Sequence, residues 1–198
     1  MTQINFGTIL AFAINAILIE NIILTQFMGI RPFFEASKKS EDALGMGMAV
    51  TVVMGISSVV TYGIYQLVLV PLNLEYLRII AFILVIASLV QLVEMALKKV
   101  LPSLYSDFGI HLPLVTTNCA VLGVCLINIQ DGYNLLTAFL NSIFTAIGFM
   151  LALWIFSLLR TRIEESCDIP KAFRGIPIAL ITAALLSFGF MGFNGISF

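Results

Sequence analysis

The residues of this sequence that could carry out chemistry lie inside apolar runs. In the stretch LVTTNCAVLGVC, residues 114–125, a thiol stands beside three hydrogen-bonding side chains, in the order Thr116, Thr117, Asn118 and Cys119. A second run, IENIILTQ, places Glu20 and Asn21 among aliphatic residues. Cysteine thiolates hold iron–sulfur clusters, and a carboxylate in an apolar segment is a candidate for ion or proton transfer. For both runs, a functional role therefore has to be compared with a purely structural one.

Each of these residues can also be explained without a function. A buried cysteine packs as a small apolar group, and Thr or Asn can hydrogen-bond to nearby helix carbonyls. Glu20 could be a carboxyl group that is kept neutral or that pairs with a neighbour such as Asn21. A cluster commonly needs four thiolates, but Cys125 lies six residues after Cys119, about 240° around a helix. A cluster at Cys119 would therefore need ligands from a second protein chain.

The composition predicts an integral membrane protein. The chain has 198 residues, of which 60% are hydrophobic and 11% charged, with a mean hydropathy of +1.07, whereas soluble domains are about 25% charged. Segments of about 20 apolar residues can cross a membrane as helices. The sequence contains six, at residues 7–30, 43–70, 74–97, 109–128, 133–159 and 176–197. We expect an all-α fold that binds lipid and, without a basic stripe, no nucleic acid.

Charge placement predicts the orientation. Nine of the ten basic residues fall in the loops after the first, third and fifth segments, and only Arg78 falls on the other side. The positive-inside rule makes the nine-residue side cytoplasmic and places both termini outside. No basic residue precedes the first apolar run, so we expect that run to be a retained span and not a cleaved signal peptide.

Six spans divide into two sets of three. Because three is an odd number, the second set crosses the membrane in the opposite orientation, as in an inverted repeat. We predict one repeat in residues 1–100 and a second, inverted repeat in residues 101–198. The first helix of each repeat, helices 1 and 4, carries polar residues at membrane depth, with Asn21 and Asn118 in comparable places. Helices 1 and 4 are therefore expected to be broken, as are helices that line membrane binding sites.

Several runs resemble a known family. The stretches IENIILTQFMGIRPF, SKKSEDALGMGMAVT, LPLVTTNCAVLGV and FRGIPIALITAALLSFGFMGFNG are similar to the family that contains the A subunit of the Rnf ferredoxin:NAD oxidoreductase and the E subunit of the sodium-translocating NADH:quinone reductase. The resemblance implies a multi-pass subunit of the prokaryotic cytoplasmic (inner) membrane. It also implies a [2Fe–2S] cluster shared with a homologous partner, the Rnf E subunit, with two cysteines from each.

One ligand position departs from that family pattern. The cysteine of the TTNCA motif is Cys119, but Arg31 occupies the position of the second cysteine, in FMGIRPF. A guanidinium keeps its proton and does not simply replace a thiolate. Three readings stay open: three cysteines with Arg31 or His111 as an unusual ligand, a degraded or absent cluster, or a divergent paralogue or altered sequence. Thr116, Thr117 and Asn118 would form the cluster's hydrogen-bond shell.

The resemblance implies an electron-transfer subunit of a redox-driven ion pump, which would not be catalytic alone. Electron relay through the shared cluster would be coupled to Na⁺ or H⁺ movement, with Glu20 and Asn21 as candidates for the ion path. Two alternatives remain, a non-redox secondary transporter or channel with the same fold, and the E subunit of the NADH:quinone reductase.

Overall fold

The fold consists of apolar helices, as the composition predicts. A computed structural model describes residues 6–37, 40–100, 114–115, 118–166, 170 and 173–195. Within these ranges the chain forms helices, turns and irregular segments, without a strand. The α-helices are α1 (Phe6–Ile14), α2 (Ile30–Ala36), α3 (Ser40–Ile64), α4 (Arg78–Val100), α5 (Cys119–Gln130), α6 (Leu135–Ser166) and α7 (Ile176–Met191). The prediction of an all-helical membrane fold is confirmed.

The helices correspond to the six predicted apolar segments. Three described stretches are long and apolar enough to cross a membrane, namely Ser40–Leu69, Glu75–Met95 and Leu135–Glu165. The other three are shorter apolar helices, namely Ile9–Ile19, Cys119–Gln130 and Ile176–Met191. Two of the short helices belong to spans one and four, which were predicted to be broken. The division into inverted repeats at residues 1–100 and 101–198 stays a prediction.

The first span is interrupted between α1 and α2. A π-helical turn, Asn15–Ile19, continues α1, and the chain then forms irregular turns until α2 begins at Ile30. An interruption inside a membrane leaves backbone groups that need new partners. Thr25 supplies some of them, since its hydroxyl donates to the carbonyl oxygens of Ile19 (3.2 Å) and Asn21 (2.8 Å). Side chains within the break therefore replace the missing helical hydrogen bonds.

Helices α3 and α6 form the centre of the molecule, and small residues let them approach closely. The side chain of Met150 occupies the space where a Cβ atom of Gly47 would lie, and Ile143 lies over Gly55. Small residues permit this close helix contact in membranes. The core around them includes Met46, Val50, Val53, Phe149, Leu153 and Phe156. The two broken spans pack against this pair of helices.

Candidate functional site

The two broken spans meet where Gly29 lies against Cys119. The backbone N–H of Gly29 donates a hydrogen bond to Cys119 Sγ at 3.0 Å. One residue earlier, the sulfur of Met28 fills the space above Gly123 on α5. The end of the first break and the start of α5 are thus in direct contact, although neither the break nor α5 makes a complete span by itself.

Gly29 is required at this contact by its backbone and by its surroundings. Its φ angle is +81°, in the left-handed region that favours glycine. A Cβ atom there would lie 2.9 Å from Asn118 Oδ1 and 3.0 Å from the ring of Phe149. Phe149 lies about 20 Å along α6 from its first residue, near the middle of a helix that is long and apolar enough to cross a membrane.

Asn118 shapes the start of α5. Its side-chain oxygen accepts a hydrogen bond from the backbone N–H of Ala120 at 3.0 Å, so it caps the helix that begins with Cys119. Its amide nitrogen, in contrast, is buried and has no hydrogen-bond partner among the described residues. A buried unpaired donor is costly, and here it lies beside the thiol. The amide is therefore able to donate a hydrogen bond to a further acceptor.

The two thiols of α5 have different environments. Cys119 is exposed on the surface of this chain, whereas Cys125 is buried. This difference agrees with the prediction that they do not share a face of the helix. Because Cys119 stands at the start of α5, the positive end of the helix dipole favours negative charge near its sulfur. Cys119 has the exposure and the donors that a thiolate ligand needs, and Cys125 does not.

Arg31 does not complete a ligand pair with Cys119. It lies in the first turn of α2, its side chain is 71% exposed, and its Nε lies 3.4 Å from Glu35 Oε1. A cationic guanidinium engaged with a carboxylate is not a metal ligand. No group of three or more His, Cys, Asp or Glu side chains that could hold a metal occurs within the described ranges. The donor set thus fits one thiolate ligand of a cluster, with the other ligands from elsewhere.

Glu20 lines a narrow cleft between the first break, α5 and α6. The cleft has a volume of about 20 Å³ and is lined by Ala16, Glu20, Ile22, Gln26, Val124, Ile127, Asn141 and Thr145. Glu20 is exposed at its mouth. Nearby, in the turn before α6, the pKa of Tyr133 is raised by partial burial, then by the charge of Asp131 and a hydrogen bond to it, and last by the charge of Glu20.

Asn21 is buried and ties the break to α6. Its amide nitrogen donates to the carbonyl oxygens of Gly148 (2.9 Å) and Ile17 (3.0 Å). Its amide oxygen accepts from the backbone N–H groups of Ile23 (3.2 Å) and Leu24 (3.4 Å). Gly148 makes the approach possible, because a Cβ atom on it would lie 2.9 Å from the Ile17 carbonyl oxygen. Asn21 and Glu20 therefore face different surroundings.

Three predicted site residues, His111, Thr116 and Thr117, lie outside the described residues. The sequence interpretation missed two features of the site. One is Gly29, whose neighbours FMGIRP suggested only the end of a span. The other is a buried polar cluster around Asn128 and Asn141, which could have been found from two amides in otherwise apolar helices.

The fold and this site define an all-helical membrane protein in which two interrupted spans meet at a thiol beside the middle of α6. Residues 9–197 match the family described as Rnf-Nqr subunit, membrane protein, and the chain belongs to that family.

The chain is similar to several A subunits of ion-translocating complexes. It is 52% identical over 188 residues to the A subunit of the Na(+)-translocating ferredoxin:NAD(+) oxidoreductase complex of Acetobacterium woodii, covering 95% of this chain and 97% of the relative. It is also 52% identical over 188 residues, with the same coverage, to the A subunit of the ion-translocating oxidoreductase complex of Syntrophotalea carbinolica. The corresponding A subunit of Shigella sonnei is 50% identical over 183 residues, or 92% of this chain and 94% of the relative.

Proposed function

We propose that this chain is the electron-transferring membrane subunit of an ion-translocating ferredoxin:NAD oxidoreductase. The observation that carries the proposal is the exposed thiol of Cys119. Its sulfur accepts a hydrogen bond from the backbone N–H of Gly29, at the end of the break in the first span. The names of the similar A subunits support the reaction class, since the Acetobacterium woodii relative is named for ferredoxin, NAD⁺ and Na⁺ translocation. The chain acts as one subunit of a translocase and is not catalytic alone.

Cys119 would be this chain's ligand to a [2Fe–2S] cluster shared with a homologous membrane protein, the Rnf E subunit. Such a cluster supplies one-electron chemistry when it is bound. The chain's own residues prepare for it, because the Gly29 N–H already donates to the sulfur and the buried Asn118 amide has a donor to spare among the described residues. Thr116 and Thr117 are proposed to extend this hydrogen-bond shell.

Arg31 leaves this chain one thiolate short of the two that the family resemblance implies. Its contact with Glu35 argues against a ligand role for the guanidinium. His111 is the remaining candidate for a substitute ligand from this chain. A reduced [2Fe–2S] signal that is unchanged in His111→Ala would exclude that role.

The test is to purify the assembled complex and to measure its iron content, its EPR spectrum in the reduced state and its ferredoxin:NAD activity. Replacing Cys119 with Ser is expected to remove one cluster signal and most of the electron transfer, because a hydroxyl is a poor substitute for a thiolate. Cys125→Ser is the matched control, since Cys125 is buried on the same helix and away from the site. Full activity and an unchanged spectrum in Cys119→Ser would contradict the proposal.

The second candidate is a non-redox secondary transporter or channel. Arg31 is the observation that favours it, because this chain then lacks half of its expected ligands. Purification from the native membrane separates the two candidates. A brown complex of several different proteins, in which the Rnf E subunit is present, agrees with the first, whereas a colourless homo-oligomer agrees with the second.

We also propose an orientation in the prokaryotic inner membrane with both termini outside, and two inverted repeats in residues 1–100 and 101–198. The comparable roles of Asn21 and Asn118 support the repeats, since each side-chain oxygen accepts a backbone N–H two residues later, at a break. Reporter fusions at the two termini test the orientation. Alkaline phosphatase should be active at both ends, and green fluorescent protein at neither.

A further inference from the structure

We propose that the cleft lined by Glu20, Gln26, Asn141 and Thr145 binds one dehydrated monovalent cation. This inference deepens the proposed function and rests on it, because the bound cation would be the ion that the complex moves. The cleft lies between the first break, α5 and α6. It is distinct from the Gly29–Cys119 contact, since none of the residues that line it belongs to that contact.

The polar groups of the cleft form a set of oxygen donors. Glu20 offers a carboxylate, Gln26 and Asn141 offer amide oxygens, and Thr145 offers a hydroxyl. Hard cations prefer such oxygen ligands, whereas softer metals select nitrogen and sulfur. No Lys or Arg stands among the described residues that line the cleft, so its single carboxylate has no cationic partner among them. One negative charge matches one monovalent cation.

The cleft has the size for a single small occupant. Its volume of about 20 Å³ is just above the space that one water molecule requires. A hydrated cation does not fit, so a cation would exchange its water for the protein oxygens. The remaining walls are apolar, formed by Ala16, Ile22, Val124 and Ile127. Apolar walls on the inner side of the cleft lower the local dielectric, which strengthens the attraction between a cation and the Glu20 carboxylate at the mouth.

Asn141 is held in an orientation that presents its oxygen. Its amide nitrogen donates to Asn128 Oδ1 at 2.8 Å, which leaves its own amide oxygen available as an acceptor. Asn128 is fixed in turn, because its amide nitrogen donates to Ser142 Oγ (2.9 Å), Ser58 Oγ (3.2 Å) and the Ala138 carbonyl oxygen (3.2 Å). A buried network in which every member is bonded is rigid. The cleft is thus preorganised on the side of α6.

Thr145 differs from four other helical threonines of the described chain. The hydroxyl groups of Thr51, Thr61, Thr161 and Thr182 each donate to the carbonyl oxygen four residues earlier. The hydroxyl of Thr145 makes no hydrogen bond to any described residue, although the side chain is only 6% exposed. It lies four residues after Asn141, so both point to the same side of α6. Its oxygen is free for a ligand.

The experiment measures binding of ²²Na⁺ to the oxidised, detergent-purified complex by equilibrium dialysis, with no electron donor present. The variants are Thr145→Val, which keeps the side-chain shape, and Glu20→Gln, which alters an exposed residue and does not disturb the core. We expect each to weaken binding of one equivalent of Na⁺ about tenfold or more, the usual effect of losing one bond to a charged group. The control Thr182→Val removes a hydroxyl that bonds only within its own helix, and it should bind Na⁺ as the unmodified complex does.

Unchanged ²²Na⁺ binding in both Thr145→Val and Glu20→Gln would overturn the inference. Failure of the proposed function gives a different result, in which Cys119→Ser still transfers electrons. Because the binding assay needs no turnover, it reports on the cleft whether or not Cys119 carries a cluster. Conversely, normal Na⁺ binding in the two variants together with loss of activity in Cys119→Ser would remove the cation site and leave the electron-transfer role intact.

Discussion

The backbone N–H of Gly29 donates a hydrogen bond to Cys119 Sγ over 3.0 Å and so joins two residues ninety positions apart in the sequence. The left-handed conformation of Gly29 directs the bond, and the Asn118 cap positions the sulfur. A backbone donor beside a sulfur stabilises negative charge on it. The bond thus links the break of the first span to the chemistry proposed for the fourth.

Replacing Gly29 with Ala should destabilise this contact. The new Cβ would lie 2.9 Å from Asn118 Oδ1 at a φ angle of +81°, and the left-handed conformation alone costs about 1–2 kcal/mol for a residue with a side chain. We expect a lower melting temperature of the purified complex. Gly63→Ala is the control, because that glycine lies within α3 with nothing within 4 Å of a Cβ. There alanine should be neutral or slightly stabilising, and equal loss in both variants would contradict the assignment.

Thiol labelling should distinguish Cys119 from Cys125. In a Cys167→Ser background, N-ethylmaleimide should modify Cys119 in the isolated, detergent-solubilised chain, because that thiol is exposed, and should spare the buried Cys125. In the assembled complex the same reagent should no longer reach Cys119, since a partner protein is proposed to cover it. Mass spectrometry of the labelled peptides gives the result. Equal labelling of Cys119 before and after assembly would mean that no partner covers this face.

Asn21→Leu should destabilise the first break. The substitution leaves the Gly148 carbonyl without the side-chain donor, and it frees the N–H groups of Ile23 and Leu24. Unsatisfied buried groups cost about 1–3 kcal/mol each, so we expect a clear fall in the thermal stability of the complex in detergent. The control is Gln66→Leu, an amide-to-leucine change at an exposed position of an apolar helix. It should have little effect, and similar losses for the two would argue against a special role for Asn21.

Replacing Arg160 with lysine should lower the stability of the protein. Its Nη1 donates to the Phe34 carbonyl oxygen (3.1 Å) and to Ser37 Oγ (3.3 Å), while its Nε donates to Glu164 at 3.1 Å. Lysine cannot reproduce this fork, so Arg160→Lys should lower stability by about 1–3 kcal/mol. Arg162→Lys, at an exposed position two residues later, should be neutral. Thermal unfolding in detergent compares them, and a neutral Arg160→Lys would show that a single point charge suffices.

Hydrophobicity was enough to predict the fold class, because apolar surface of this extent is stable only in a membrane. The polar residues also marked the breaks correctly, since Asn21 and Asn118 both bond to backbone groups where a helix is interrupted. The first span is broken as predicted, since helix α1 and its π-helical turn end at Ile19 and a new helix begins at Ile30. Its end differs from the prediction, because that new helix continues to Ala36, beyond the expected limit at residue 30.

The contacts within the site could not be predicted from a single sequence. Gly29 and Cys119 are brought together by tertiary packing, which leaves no local signal in either segment. The cleft at Glu20 depends in the same way on Asn141 and Thr145 of α6. Glu20 itself was identified, because a carboxylate at membrane depth is unusual. Gln26, Asn141 and Thr145 gave no comparable signal, because only the fold brings them to the same cleft as Glu20.

The interrupted first span is fastened to α6 at both ends of its break, through Asn21 at Gly148 and through the Phe34 carbonyl at Arg160. These anchor points lie about 18 Å apart along α6. A displacement of either half against α6 would break buried or half-buried hydrogen bonds. Both halves of the first span are therefore bound to the same helix, and residues 22–29 bridge the two anchor points. That bridge carries Gln26 to the cleft and Gly29 to the thiol, so a change in its conformation would alter both sites.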